Sequence, residues 1–318
     1  MKFPLSVLLG AMILAAATAA AEDIRKPDLI IAGVTSNAAG ILAYSPDGRH
    51  LAVARDRSIQ IYDPRIMESL KTQLRRTLSG HEGEILGLAF SDTNTLVSIS
   101  RDQTAKIWDL ETGKLLHTAE LHLGKQNRFV IAPGQQPLAA DSSSGKARLW
   151  NYRTGELLKS FEPNDSWAST LAFTPDGKSL VIGTEKGVLR VMDAAAWTVT
   201  RTIDLDSPVR SLAASAERIA VGYSDGTVAI LNFGDQPSVP EVKKQNGVIN
   251  AIAFSPKGEV FASASADHTV EVWDAKTLKP LCSLQGHAAP VVAVAFSPEG
   301  RRIASMDSEG VVNFWTVP

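Results

Sequence analysis

Residues 80–109 read GHEGEILGLAFSDTNTLVSISRDQTAKIWD. The stretch opens on Gly80-His81 and closes on Trp108-Asp109, with three short apolar runs between: Ile85 to Phe90, Thr95 to Ser100 and Thr104 to Trp108. Each run is rich in β-branched or aromatic residues and bounded by turn residues, so each reads as a strand. The ending recurs as Ile61-Tyr62-Asp63, Leu149-Trp150-Asn151, Val191-Met192-Asp193, Ile230-Leu231-Asn232, Val272-Trp273-Asp274 and Phe314-Trp315-Thr316. From Tyr62 to Trp315 the aromatic slot returns at gaps of 46, 42, 42, 39, 42 and 42 residues. A period of that length is one supersecondary unit that buries its faces by stacking on its neighbours, in an array or a closed ring.

The turns are equally legible. Ser45-Pro46-Asp47-Gly48, Thr174-Pro175-Asp176-Gly177, Ser255-Pro256-Lys257-Gly258 and Ser297-Pro298-Glu299-Gly300 place Pro early and Gly late. Pro presets φ and Gly accepts φ > 0, which forces a tight reversal between the first and second strands. A fourth strand follows the aromatic ending in runs such as Gly113-Lys114-Leu115-Leu116 and Gly155-Glu156-Leu157-Leu158.

With a Gly-His near the start of a unit and a Trp-Asp at its end, the chain resembles the WD40 repeat family, and bacterial-type exported members of it. The resemblance implies an all-β, seven-bladed propeller over residues 22–318. It also implies a buried hydrogen-bonded set of His81, Asp102 and Trp108, linked through Ser98 or Ser100, and counterparts among His287, Asp267 and Trp273. The His slot is filled again by His122 and His287, and elsewhere by Thr35, Asn164, Leu205 and Gln245. The turn Asp recurs as Asp56, Asp225 and Asp267, whereas units three, four and seven place Ser144, Lys186 and Glu309 there. Units four and five, with Met192 and Leu231 in the aromatic slot, are expected to be the least rigid. By the same resemblance residues 28–33 supply the strand that the seventh unit lacks and close the ring, removing two open sheet edges.

Ahead of the repeats, Lys2, an apolar run from Leu5 to Ala17 and Ala19-Ala20-Ala21 follow the pattern of a secretory signal peptide over residues 1–21. The alternative is an uncleaved membrane anchor. Cleavage leaves no other stretch of membrane-spanning length, and gives a periplasmic or secreted chain in the cell envelope. Loss of Lys2 from the 32 basic residues leaves 31 against 34 acidic ones, with no basic excess for nucleic acid. Cys282 is the only cysteine, so an internal disulfide is impossible and the thiol reads as a small core residue.

Catalytic patterns are missing. Of the six histidines, His81, His122 and His287 fall in the structural slot, His50 and His268 follow turns and read as solvated, and no spacing matches a zinc or haem site. The acid after the aromatic slot recurs in most units, as a fold constraint does, and Asp141-Ser142-Ser143-Ser144-Gly145 reads as a polar turn. No nucleophile elbow, phosphate loop or dinucleotide fingerprint is present. The expected function is therefore a non-enzymatic protein-protein interaction scaffold without cofactor or metal. The alternative is a propeller-type enzyme, lactonase-like or quinoprotein-like, with a metal or quinone in the central channel. Fold alone does not choose between them.

For the scaffold, the resemblance places the partner where strand one begins and where the turn before the third strand lies. Counting from Phe90 and from the turn acid selects Glu84, Lys125 and Trp167 in the first series and Arg55, Arg101 and Glu185 in the second. Trp167 stands out because no period calls for an indole there. It reads either as an apolar cap on its own blade or as an interface anchor flanked by Arg101 and Lys125.

Overall fold

A computed structural model describes residues 23–31, 41–65, 74–123, 128–133, 138–143, 145–162, 167–205, 207–233 and 245–317. The signal segment, Thr35, Lys125, Ser144, Asn164 and the Ala32-Gly33 end of the expected closing strand lie outside them. The described residues form seven sheets, antiparallel throughout the repeats and in the order the sequence implies. Blade one holds Leu42–Tyr44, Leu51–Arg55, Ser58–Tyr62 and Leu74–Ser79; blade two holds Ile85–Phe90, Thr95–Ser100, Thr104–Asp109 and Leu115–Glu120. Blade three runs from Arg128–Ile131 to Leu157–Phe161 and blade four from Ala168–Phe173 to Thr198–Asp204. Among the described residues blade five shows three strands, from Val209–Ala214 to Val228–Asn232. Blade six runs from Ile249–Phe254 to Pro280–Gln285, and blade seven holds Val291–Phe296, Arg302–Asp307 and Val312–Thr316.

The first strands of neighbouring blades touch in sequence around the molecule, and that of blade seven touches that of blade one. The ring is therefore closed. The side-chain alternation of a strand explains how. Ile107 points towards blade three, into a cluster with Ala139, Trp150 and Tyr152, while the adjacent Trp108 points back towards blade one, beside Ile59, Ile61 and Leu78. Seven such apolar clusters fill the seams, and the one that joins blade seven to blade one contains Leu51, Val53, Ala304 and Phe314. Middle strands are accordingly buried along their length, whereas outermost strands such as Leu115–Glu120 are mostly exposed.

The Pro-Gly turns fold as their residues require. Gly48, Gly177, Gly258 and Gly300 adopt φ of 69°, 69°, 71° and 75°. Each donates its N–H to the residue three before it, as Gly48 does to the Ser45 carbonyl at 2.9 Å. Blade five has a shorter connection, residues 215–217, where blade six has residues 255–259.

Leu29–Ile31 pairs antiparallel with the last strand of blade seven, with Leu29 opposite Phe314 and Ile31 opposite Val312. A second pairing has no counterpart in the repeat: Ile24–Arg25 lies parallel to the outer strand of blade six, Ile24 opposite Ser283.

Candidate functional site

Blade two contains the expected network. The Trp108 indole donates to Ser98 Oγ at 2.8 Å, so the hydroxyl is free to donate to His81 Nε2 at 2.7 Å. That leaves the proton on Nδ1, 2.7 Å from Asp102 Oδ2. Ser98 is thus the linking hydroxyl; Ser100 instead donates to the Gly83 carbonyl. Burial pushes the imidazole pKa down against the pull of Asp102, which keeps the ring neutral. Asp102 is opposed by burial yet held at about 2 by hydrogen bonds from the Thr104 hydroxyl, the Glu82 N–H and His81.

The counterparts differ blade by blade. Blade six replaces the imidazole with an amide: Trp273 donates to Ser263, Ser263 to Gln245 Oε1 at 2.6 Å, and Gln245 Nε2 to Thr269, which bonds Asp267. In blade seven, Trp315 donates to Ser305, which meets His287 Nε2 at 2.7 Å. The acid there is Asp307, 2.9 Å from His287 Nδ1, not Glu309 in the turn. Asp307 stands at the end of the second strand, where blade two has Ser100, and Oδ1 also accepts the N–H groups of Glu309 and Val311. His287 therefore belongs to a different blade from Asp267 and Trp273.

Three expectations for these slots are corrected. His122 is exposed, and its carbonyl accepts from Arg148. In blade three the position of Ser98 is taken by Asp141, which receives the Trp150 indole at 2.8 Å and pairs with Arg148, whose guanidinium lies 4.9 Å from the indole centroid. The signal was present as an Asp nine residues before Trp150, but the turn is one residue shorter than in blade two, where Ser98 stands ten before Trp108. Asp56 is exposed and pairs with Arg57 rather than joining a network. His50 is half-buried, with Nδ1 enclosed and without a hydrogen-bond partner among the described residues, so it is not solvated as its turn position suggested; His268 is exposed. In blades four and five the slots are apolar, Met192 and Leu231 lying in seam clusters beside Ala194 and Ile219.

The acid after the aromatic slot caps the following turn. Asp109 Oδ1 accepts the N–H of Glu111 and Thr112, Asn151 those of Arg153 and Thr154, and Asp274 those of Lys276 and Thr277. The side chain replaces backbone partners that the reversal leaves open.

The two series selected for a docking face do lie side by side. Arg101 N bonds the Glu84 carbonyl at 2.8 Å and Glu185 N the Trp167 carbonyl at 3.0 Å. The same bond joins Ala266 to Val248 and Ser308 to Pro290, so the strand starts and turns of blades two, four, six and seven meet on one face. Trp167 is 62 % exposed. Its indole rests on Gly145 of blade three, where a Cβ would come within 2.8 Å of Cδ1, so it covers a neighbouring blade rather than its own. Glu185 is exposed beside it. Arg101 pairs with Glu84 Oε2 at 2.9 Å, on blade two, with blade three between it and the blade that bears Trp167. Arg55 is corrected: it is buried, bonds the Gly310 carbonyl of blade seven and Gln60 of its own blade, and cannot meet a partner at the rim.

A recess of about 370 Å³ at the channel is lined by residues such as Leu86, Leu88, Val130, Leu171 and Ala213. Among the described residues no group of three His, Cys, Asp or Glu is spaced to hold a metal, and no helix is long and apolar enough to cross a membrane. On the face formed by the Pro-Gly turns, the short connection of blade five borders a recess of about 630 Å³ with Glu217, Arg218, Lys257 and Glu259 on its walls.

Four stretches of the chain, residues 34–63, 72–109, 240–274 and 278–316, match the family described as WD domain, G-beta repeat. They end with blades one, two, six and seven, and leave blades three to five, where the network is rebuilt or apolar. The chain is 26 % identical over 275 residues to the WD repeat-containing protein WDS homolog of Arabidopsis thaliana, covering 80 % of this chain and 50 % of that protein. It is 29 % identical over 229 residues to Eukaryotic translation initiation factor 3 subunit I of Mycosarcoma maydis, covering 64 % of this chain and 66 % of that one. With Telomerase protein component 1 of Mus musculus it shares 26 % over 244 residues, 75 % of this chain and 9 % of the relative. The chain thus spans half or less of the length of the first and third of these. Fold, turn chemistry and sequence matches agree on an all-β, seven-bladed propeller, four of whose repeats match the WD40 repeat.

Proposed function

We propose that the protein is a non-enzymatic scaffold of the cell envelope, exported with a mature N-terminus near Glu22, that docks a protein partner on the face where strand starts and turns meet. The observation that carries this reading is Trp167. A large aromatic side chain 62 % exposed on a rigid ring, fixed over Gly145, has the anchor chemistry that dominates protein interfaces. Glu185 beside it supplies a charge for orientation. Two relatives are named as a subunit and a component of larger assemblies, which suits the same use here. Replacing the neighbouring Glu185 with a photo-crosslinking residue tests the face directly: a protein adduct on irradiation in the native extract supports it, and adducts only from the opposite face sink it. Stoichiometric metal or quinone in the purified protein would instead favour the channel enzyme. Mass spectrometry of envelope fractions tests the export, since an intact Met1 would favour the anchor.

A further inference from the structure

In blades one, two and four the outer strand reaches across the seam through one register position, opposite the residue that precedes the aromatic slot. Arg76, opposite Ile61, donates to the carbonyls of Thr112 at 2.6 Å and Glu111 at 3.0 Å in the next blade. His117, opposite Ile107, lies with Nε2 2.6 Å from the Arg153 carbonyl. Arg201, opposite Val191, bonds the Asn232 carbonyl at 3.2 Å. All these acceptors sit at the end of the next blade's third strand or in the turn after it, where the carbonyls lack ladder partners.

Blade six has no such donor. Its residue opposite Val272 is Cys282, a thiol 1 % exposed and packed with Trp315 and Val317 of blade seven, so it offers the neighbouring carbonyls no cation. The cation comes from elsewhere in the chain. Ile24–Arg25 is added parallel to the outer strand, with Ser283 N bonding the Asp23 carbonyl at 3.0 Å. From there Arg25 Nη1 donates to the Thr316 carbonyl at 2.9 Å, at the end of blade seven's third strand, while Asp23 holds the guanidinium through Nε and Nη2 at 2.8 and 2.6 Å. Pro27 then lies on Gly286, where a Cβ would come within 2.7 Å of Cδ, and Asp28 N bonds the Phe314 carbonyl before Leu29–Ile31 joins blade seven.

We propose that residues 23–31 are a releasable clasp across the seam of blades six and seven, with Arg25 as its catch, and that release of this clasp is the easiest opening of the ring. Two features separate it from the other seams. Its blade-six half is only two paired residues, with Ile24 54 % exposed, so few buried contacts oppose release. The outer strands of blades one to four pair over four to six residues within their own sheets. Cys282 adjoins the Ser283–Leu284 edge that the clasp covers, with Arg25 and Asp23 among the charges nearest a thiol that burial pushes up to about 11, so release should raise its exposure. The single thiol is therefore a native reporter of the clasp.

The test is the rate at which an excess of a thiol reagent modifies Cys282 in the folded full chain, for the unchanged protein, Arg25→Ala and Arg76→Ala. Arg76→Ala removes the same kind of bond at a distant seam. Loss of the Arg25 bond should speed modification about tenfold, as expected for one hydrogen bond to a charged group, while Arg76→Ala should leave it close to the unchanged protein. An unchanged rate for Arg25→Ala overturns the proposal, and so does equal acceleration by both variants, which would report global unfolding. Should Arg25→Ala fail to fold, hydrogen exchange of the unchanged protein decides. The Ser283 amide should exchange well before the amides of Val270 and Val272, and exchange in step with them would refute a separate clasp.

Discussion

Asp102→Ala removes the acid at the foot of blade two's network, and the structure separates what is lost into two parts. The Glu82 N–H and the Thr104 N–H, 2.9 Å each from the carboxylate, lie near the surface and can turn to water. His81 cannot: its side chain is 1 % exposed, and Nδ1–H would keep only the long contact to the Thr104 hydroxyl at 3.3 Å. The cost is then that of one stranded buried donor, about 1 to 3 kcal/mol. Lys186, at the equivalent turn of blade four, is exposed in a blade whose aromatic slot is filled by the buried Met192, so Lys186→Ala should shift stability by less than about 0.5 kcal/mol. Urea midpoints for the two variants, measured with a shared slope, give the comparison. Equal shifts would refute the assignment of the network, because they would mean that any turn substitution costs the same.

In blade seven the structure assigns the acid to Asp307, so Asp307→Ala should cost as much as Asp102→Ala while Glu309→Ala costs little; the reverse order in the same urea experiment would restore the turn residue. Stability should fall with acid in two stages. His81 and His287, whose folded pKa values burial lowers, favour the folded chain above about pH 6.5, and that advantage fades below it as the unfolded histidines bind protons. Asp102, held at about 2, adds roughly 2 kcal/mol that is present above about pH 4 and lost on the way to pH 2; a melting temperature flat from pH 7 to pH 3 would contradict both. Deleting Leu29 to Ile31 should expose the Val312–Thr316 edge and lower both melting temperature and solubility, and an unchanged melting curve would show that the ring does not depend on that strand.

What could be read without coordinates was local. The aromatic slot and the Pro-Gly turns are fixed by residues a few positions apart, so seven units and their strand order followed directly from Tyr62 to Trp315. Errors arose where a count assumed constant turn length. Glu309 stands six residues before Trp315 as Asp102 stands before Trp108, yet the acid had moved to the strand end at Asp307. His122 met the same fate, since blade three builds its network on a buried Asp141 paired with the half-buried Arg148 instead of imidazole and serine. Some contacts between blades left no periodic trace. Arg55 looked like a rim residue by register and is buried because the turn at Gly310 sits on it, and two residues at Ile24–Arg25 are too short a run to announce a strand.

The central claim is that a partner docks on the Trp167 face, and affinity capture from native extract tests it most directly. Trp167→Ala and Arg101→Glu, each beside the unchanged protein and a Lys257→Glu control in the recess of the opposite face, should lower the amount of captured partner sharply for the first two and leave the control unaffected. Melting curves should stay nearly superimposed, since both side chains are largely exposed. Capture that survives Trp167→Ala and Arg101→Glu, or is lost only with Lys257→Glu, would contradict the account and move the site to the face of the Pro-Gly turns.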